Sequence, residues 1–420
     1  MNCLKNLNGK KHTTIKYIRF VIIFCSLMLL LTVPDIVHSK TIAELIAQLK
    51  PHDTLIVPPG TYSENKIKIS FPVTIIGNDY PVLDCENNGS GFLVESDSVT
   101  ISGFVIRNTG LSYSEEICAI KVSNSKYVSI TDNIILDTQF GIYFANTANS
   151  EIKRNKLISK PVSESSSGNG IHFWKCDSIV TSYNFIQGYR DGIYLEFVTN
   201  SSNEFNRSMH NLRYGLHFMF SNNNSYIRNI LTKNGAGVAV MYTNKVLVKD
   251  NYFGDNWGPA SYGLLLKDIN ESTVTGNIFN RNTSGIYMES SNRNLITKNE
   301  LLHNGWAIKI LGSCYDNEIT QNNFISNTFD VSTNSRKLVN NIDGNYWSSY
   351  DGFDLNGDGI GDIPHHPVKL FSYLVERSPE ASFLMKSFIV NLLDFAETKF
   401  PSVSPVDFID NYPFMEVIIK

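Results

Sequence analysis

The sequence predicts an all-β solenoid, a right-handed parallel β-helix with rungs of about 22 residues and a small helical extension at its C-terminus. Three columns carry that expectation. A Gly-apolar-x-apolar signature recurs as GIYF at Gly141, GIHF at Gly170, GIYL at Gly192, GLHF at Gly215, GVAV at Gly237, GLLL at Gly263 and GIYM at Gly285, mostly at steps of 22 or 23 residues. A column of asparagines keeps that period through Asn133, Asn155, Asn184, Asn206, Asn229, Asn251, Asn277, Asn299 and Asn322. A third, five residues on, holds Asn211, Asn234, Asn256, Asn282, Asn304 and Asn327. Short β-branched runs punctuated by Asn and Gly suit a chain whose turns stack about 4.8 Å apart. The asparagines are expected to bond the rungs above and below and to supply the left-handed backbone that a sharp corner needs.

The elements follow in order. Residues 1–39 read as a signal peptide. Lys5, Lys10, Lys11, Lys16 and Arg19 precede an apolar run from Phe20 to Val33, and Val37-His38-Ser39 offers small-residue cleavage chemistry, so the exported chain is expected to start near Lys40. Ile42 to Leu49 reads as a short capping helix, and TLIVPPGTYSENKIKISFPVTIIG as the first, less regular rungs. The β-helix is expected over 40–344. The period is lost from Asn345, leaving 345–420 as a loop and helix region for capping and partner docking, with Glu380 to Thr398 patterned as an amphipathic helix.

Composition excludes some classes. The residues left after export number 381 (420 minus 39), enough for a large core. A net charge of −4 with 18% charged residues and no basic patch argues against a nucleic-acid partner. Cys85, Cys118, Cys176 and Cys314 are far apart, which indicates buried thiols rather than a zinc ribbon or a disulfide framework.

Along each Gly-led strand the residues one and three after Gly are apolar, so alternation turns the residues two and four after Gly outward. The first outward column reads Tyr143, His172, Tyr194, His217, Ala239, Leu265, Tyr287; the second reads Ala145, Trp174, Glu196, Met219, Met241, Lys267, Glu289. Met219 and Met241 therefore stack on adjacent rungs near His217. Long connections before Gly170 (SKPVSESSSGNG) and Gly263 (NWGPAS) rise at one corner on both sides of these rungs and wall a shallow groove. Thioether and imidazole together select Cu(I) over hard cations such as Mg²⁺. His217, Met219 and Met241 are thus a candidate transient copper site. Packing beneath a loop or partner is the plainer role for the same residues. Separately, Asp354, Asn356, Asp358 and Asp362 fall at positions one, three, five and nine of a calcium-type loop with Gly359 at position six, although His365 replaces the bidentate Glu at twelve. An Asx-rich turn is the competing reading.

RYGLHFMFSN followed by NGAGVAVMY, together with DLNGDGIGDIPHHPVKLF, the export signal and the rungs, resembles the NosD family over essentially the whole exported chain. The resemblance implies a non-catalytic protein, periplasmic or on the outer face of the cytoplasmic membrane. It would work with an ABC-type ATPase and its permease, and with a copper-delivering lipoprotein, in maturing the copper centres of nitrous oxide reductase. No GxxxxGK[ST] stretch occurs, so any ATP hydrolysis belongs to a partner. On this reading His172, Tyr194 and Glu196 flank the copper patch and meet a partner, and Phe388, Leu392 and Phe395 share the helical face that docks the permease. A carbohydrate-binding or polysaccharide-cleaving β-helix is the alternative. It needs an acid and a base converging in one groove, and the sequence places no clustered carboxylate pair there.

Overall fold

The computed structural model describes residues 40–112, 114–160, 163–335, 339–385, 387–399 and 408–418. The expected signal peptide, 1–39, lies outside them, as does much of the stretch 400–420. From Ile42 onward the chain forms a single unit.

Three parallel sheets of 13, 13 and 12 strands run through the described residues, and each sheet takes every third strand. The chain thus visits the three faces in turn and climbs one rung per circuit, which is the expected parallel β-helix. Register is kept strictly where the motifs lie: Tyr194 pairs with His217, His217 with Ala239, and Ala239 with Leu265. Apolar residues one and three after Gly fill the interior, with Leu216, Phe218, Val238 and Val240 all 0% exposed. The leading glycines are required by close approach. A Cβ on Gly215 would lie 2.9 Å from the carbonyl oxygen of Gly237, inside any normal contact.

The asparagine ladder is continuous. Asn229 donates its backbone N–H (2.8 Å) and its side-chain Nδ2 (3.0 Å) to Oδ1 of Asn251, and its Nδ2 also reaches the Asn203 carbonyl at 2.9 Å. The same pattern links Asn133 to Asn345 rung by rung. One expectation is corrected. The left-handed backbone belongs to the residue before each asparagine, as at Phe205, Arg228 and Asp250 with φ of 54°, 55° and 55°. That turn swings the next side chain inward, so the asparagine spends its amide on the buried corner rather than on its own φ.

At the C-terminal end the ladder terminates on Asp410, whose carboxylate accepts N–H groups from Gly344 (2.9 Å) and Asn345 (3.0 Å) and the indole of Trp347 (2.7 Å). Residues 408–418 fold back to pair with the last rung through Phe414 and Tyr346, and Asn323 bonds both backbone groups of Ile418. The single helix expected over Glu380 to Thr398 is instead a 3₁₀ turn, Pro379–Leu384, followed by a helix, Phe388–Lys399; a further helix, Leu370–Arg377, had no clear signal. The N-terminal helix is Ile42–Ile46, shorter than expected, with both of its isoleucines buried.

Candidate functional site

Loops rise from one corner as the long connections suggest, and there are three of them. Beside those before Gly170 and Gly263, residues 108–117 lengthen the same corner one rung pair earlier; Gln139 Nε2 is bonded by 2.6 Å to the Ser112 carbonyl at its foot. The rungs of Gly192, Gly215 and Gly237 stand between these walls.

Most of the column two residues after Gly points away from the core and yet is dry, which corrects the expectation of a solvent-facing column; His172 and Tyr287 are half-buried. Tyr143, Tyr194, His217 and Leu265 are 7%, 8%, 4% and 7% exposed. Their rings cover one another: Tyr143 to His172 is 4.5 Å between centroids, His172 to Tyr194 4.8 Å, and Tyr194 to His217 4.9 Å, while Tyr214 leans on His217 at 4.8 Å. His172 takes a hydrogen bond at Nδ1 from Asn169 Nδ2 (3.1 Å), and burial pushes its imidazole down to about 3, so it stays neutral.

His217 has a buried carboxylate beside it. Asp191, fully buried, is held by Arg213 through Nε at 3.0 Å and Nη2 at 2.7 Å, with Arg190 3.8 Å away. Its Oδ2 lies 3.4 Å from His217 Nδ1, and Arg213 Nη2 lies 3.2 Å from the same nitrogen. A guanidinium only donates, and its Nη2 already serves the carboxylate. Nη2 carries two N–H groups, so the guanidinium alone does not decide the tautomer; we place the ring proton on Nδ1, facing the Asp191 anion, which leaves the lone pair on Nε2. Nε2 is buried and meets no hydrogen-bond partner among the described residues. Burial holds the imidazole below its usual range against the pull of Asp191, and hydrogen bonds from His217 and Arg213 outweigh burial to hold Asp191 low. A neutral imidazole with a carboxylate behind it and a free nitrogen in front is the arrangement that metal-binding histidines use.

Met219 and Met241 are register partners on adjacent strands and both are half-buried. Tyr194 donates its hydroxyl to Met219 Sδ at 3.5 Å. Glu196, one rung before Met219, is half-buried. Beyond Met241 the row is closed electrostatically by Lys267, 3.2 Å from Glu289. The sequence reading placed His217, Met219 and Met241 correctly on one face. It did not single out Asp191, although Asp191 is the lone acid directly before a Gly in a column that otherwise holds Phe140, Asn169, Tyr214, Ala236, Tyr262 and Ser284.

The calcium-type residues turn onto their own loop. Asp354 accepts N–H groups from Gly357 (2.6 Å) and Gly359 (2.8 Å), Asp358 from Ile360 (2.8 Å), and Asp362 from Leu355 (2.6 Å). His365, at position twelve, is 6% exposed and packs its ring against Trp347 at 5.1 Å. Among the described residues no three His, Cys, Asp or Glu side chains gather as a metal site. Cys85, Cys118, Cys176 and Cys314 are buried free thiols; burial pushes Cys85 and Cys118 up to about 12 and Cys176 to about 11, which makes them inert.

In the C-terminal region, Val390 packs with Phe329, Phe371 and Val375 in a small cluster of its own. The opposite side of helix Phe388–Lys399 shows Phe388 at 77%, Leu392 at 53% and Phe395 at 61% exposed. No helix among the described residues is long and apolar enough to cross a membrane.

Known proteins share parts of this chain. Over 127 residues, 30% of its length, it is 32% identical to the probable ABC transporter binding proteins NosD of Stutzerimonas stutzeri and Pseudomonas aeruginosa, covering 29% and 30% of those proteins. The chain therefore aligns with less than a third of the length of these relatives. Among solved structures, the A-module of the mannuronan C-5 epimerase AlgE4 from Azotobacter vinelandii is 15% identical with a TM-score of 0.48, over 71% of this chain and 89% of that one. PfbA, a surface adhesin of Streptococcus pneumoniae, is 11% identical with a TM-score of 0.43, over 67% and 84%. Residues 158–352, the stretch that holds His172, Asp191, His217, Met219 and Met241, match the family model described as periplasmic copper-binding protein (NosD).

Proposed function

We propose that this protein is a non-catalytic, exported accessory protein that takes up Cu(I) transiently on His217, Met219 and Met241 and passes it on in maturing the copper centres of nitrous oxide reductase. The observation that carries the reading is the orphaned Nε2 of His217: a 96%-buried imidazole, its other nitrogen set on Asp191, two residues along the strand from the Met219 and Met241 pair. A buried polar nitrogen without a partner costs about 1–3 kcal/mol, a cost that a bound soft cation removes. Burial also bears on the sugar alternative. A saccharide needs open polar groups, whereas Asp191 and His217 are sealed under Tyr194, Tyr214 and Arg213.

The partners in this reading are an ABC-type ATPase with its permease, a copper-delivering lipoprotein, and the reductase. The names of the relatives support the transporter. The apolar face of Phe388, Leu392 and Phe395 is proposed to dock the permease, while residues 408–418 cap the solenoid. Of the residues flanking the patch, Glu196 and His172 are half-buried and open in part to a partner; Tyr194 is 8% exposed and acts through Met219.

The test is competition for Cu(I) with a chromogenic chelator. Wild type is expected to bind, and Met219→Leu with Met241→Leu to lose at least about tenfold in affinity, or 1.4 kcal/mol, with an unchanged melting temperature. Equal affinity in wild type and double variant refutes the site.

A further inference from the structure

A second feature stands beside the copper residues. The column five residues after Gly reads Asn146, Lys175, Phe197, Phe220, Tyr242, Asp268, Ser290, and every member has a left-handed backbone, with φ of 55°, 51° and 53° at the three aromatic positions. Asn and Asp accept that conformation readily; a bulky side chain there is strained by about 1 kcal/mol or more. Phe197, Phe220 and Tyr242 are nonetheless 45%, 41% and 41% exposed. They stack nearly parallel, 5.3 Å and 5.1 Å between centroids with interplanar angles of 11° and 14°. Stacking returns part of the strain, yet the ring edges stay in water. A shorter pair at another corner, Tyr183 and Phe205, has Arg228 drawn over Phe205 at 5.6 Å.

Position ties this column to the copper residues. Phe220 follows Met219 and Tyr242 follows Met241 in the chain. The Phe197 amide donates to the Met219 carbonyl (3.1 Å) and the Phe220 amide to that of Met241 (3.2 Å). Resting on the copper reading above, we propose that Phe197, Phe220 and Tyr242 form the landing surface for the protein that exchanges copper with this chain, a partner presenting Cu(I) on thioether or imidazole side chains inside an apolar rim. Copper moves between proteins by ligand exchange, in which the incoming donor touches the ion before the outgoing donor leaves. His217 is sealed and the half-buried thioethers are the reachable donors, so a partner that reaches them covers the residues beside them in the chain. The column has the composition of an interface, with aromatic residues at its centre flanked by Lys175 and Asp268. A sugar would stack on open ring faces, and here those faces lie against one another.

The test replaces all three with asparagine, Phe197→Asn, Phe220→Asn and Tyr242→Asn, a residue that relieves the left-handed strain, so the variant is expected to melt no lower than wild type. Phe220→Asn alone serves if the triple variant does not fold. Two probes are read on the full exported chain. Cu(I) affinity against a small chelator is expected within twofold of wild type. The rate of Cu(I) transfer from the purified copper-loaded lipoprotein is expected to fall at least about tenfold, the effect of removing a central aromatic anchor. Transfer at the wild-type rate with Cu(I) affinity intact overturns the landing surface alone. A wild-type chain that takes up no Cu(I) from the chelator overturns the copper reading and this proposal with it.

Discussion

Replacing Asp191 by asparagine tests the site at its least visible point. The carboxylate is 0% exposed and holds Arg213 at 3.0 and 2.7 Å while facing His217 Nδ1 at 3.4 Å. An amide oxygen can take one guanidinium N–H, but the amide NH₂ then faces the other N–H and the imidazole. His217 Nδ1 is driven to accept, its proton moves to Nε2, and the lone pair that would meet a metal is lost. Breaking a buried ion pair costs about 3–5 kcal/mol; because the Arg213 side chain is 34% exposed and can be rehydrated, about 2–3 kcal/mol is expected here. The loss of the carboxylate behind the imidazole is expected to weaken Cu(I) binding about 10- to 100-fold. Chelator competition reads the affinity, urea unfolding the stability, and ¹⁵N shifts of the His217 ring the tautomer. Cu(I) affinity within twofold of wild type in a folded Asp191→Asn protein, or a wild-type ring already protonated at Nε2, refutes the reasoning.

Three further outcomes follow from the structure. Asp410→Ala strands the N–H groups of Gly344 and Asn345 and the Trp347 indole at the end of the ladder, and is expected to cost about 3–5 kcal/mol in urea unfolding followed by Trp fluorescence; a loss under 1 kcal/mol would show that the cap is dispensable. Burial holds the His365 imidazole down to about 3, against 6.5 in the unfolded chain. The unfolded state therefore binds the extra proton, this contribution to stability is lost as pH falls below 6.5 toward 3, and about 2 kcal/mol should be gone by pH 5 relative to pH 7.5. His365→Gln should flatten that pH dependence by the same amount, and an unchanged slope would contradict the assignment. A calcium role for Asp354, Asn356, Asp358 and Asp362 requires the melting temperature to rise with Ca²⁺ and fall with EGTA; a melting temperature indifferent to both assigns the loop to its own Asx turns.

How far the sequence carries depends on whether a feature repeats. The Gly and Asn columns are periodic because each rung imposes the same close approach and the same corner hydrogen bonds, so fold, register and the alignment of Met219 with Met241 could be read directly. The dryness of the His217 column could not, because alternation assigns a direction and burial depends on whether neighbouring rings such as Tyr194 and Tyr214 close over it. Asp191 was hidden for the opposite reason: it occurs once, and a single acid at a corner looks like a solvated turn until Arg213, 22 residues on, is seen folded against it. In the C-terminal region the period is gone. The face of Phe388, Leu392 and Phe395 was legible as a helical stripe, but the 3₁₀ turn before it, the helix Leu370–Arg377 and the return of 408–418 rest on contacts with the last rungs that no local pattern encodes.

The solenoid itself sets what kind of copper site this can be. Neighbouring rungs lie about 4.8 Å apart, and two metal–sulfur bonds of about 2.3 Å laid end to end span about 4.6 Å. A pair of in-register thioethers is therefore matched to a nearly linear two-coordinate ion, a geometry that Cu(I) accepts and that offers nothing to a hard, many-coordinate cation. The rungs cannot close further, since the backbone ladder fixes their spacing, so affinity can rise only through His217, whose Asp191 and Arg213 backing resists displacement. On the proposed copper reading, such a site would hold a soft ion firmly enough to carry and loosely enough to give up. That balance suits transfer better than storage, and it locates the control of transfer at the edge of the thioether pair, where an incoming donor must arrive.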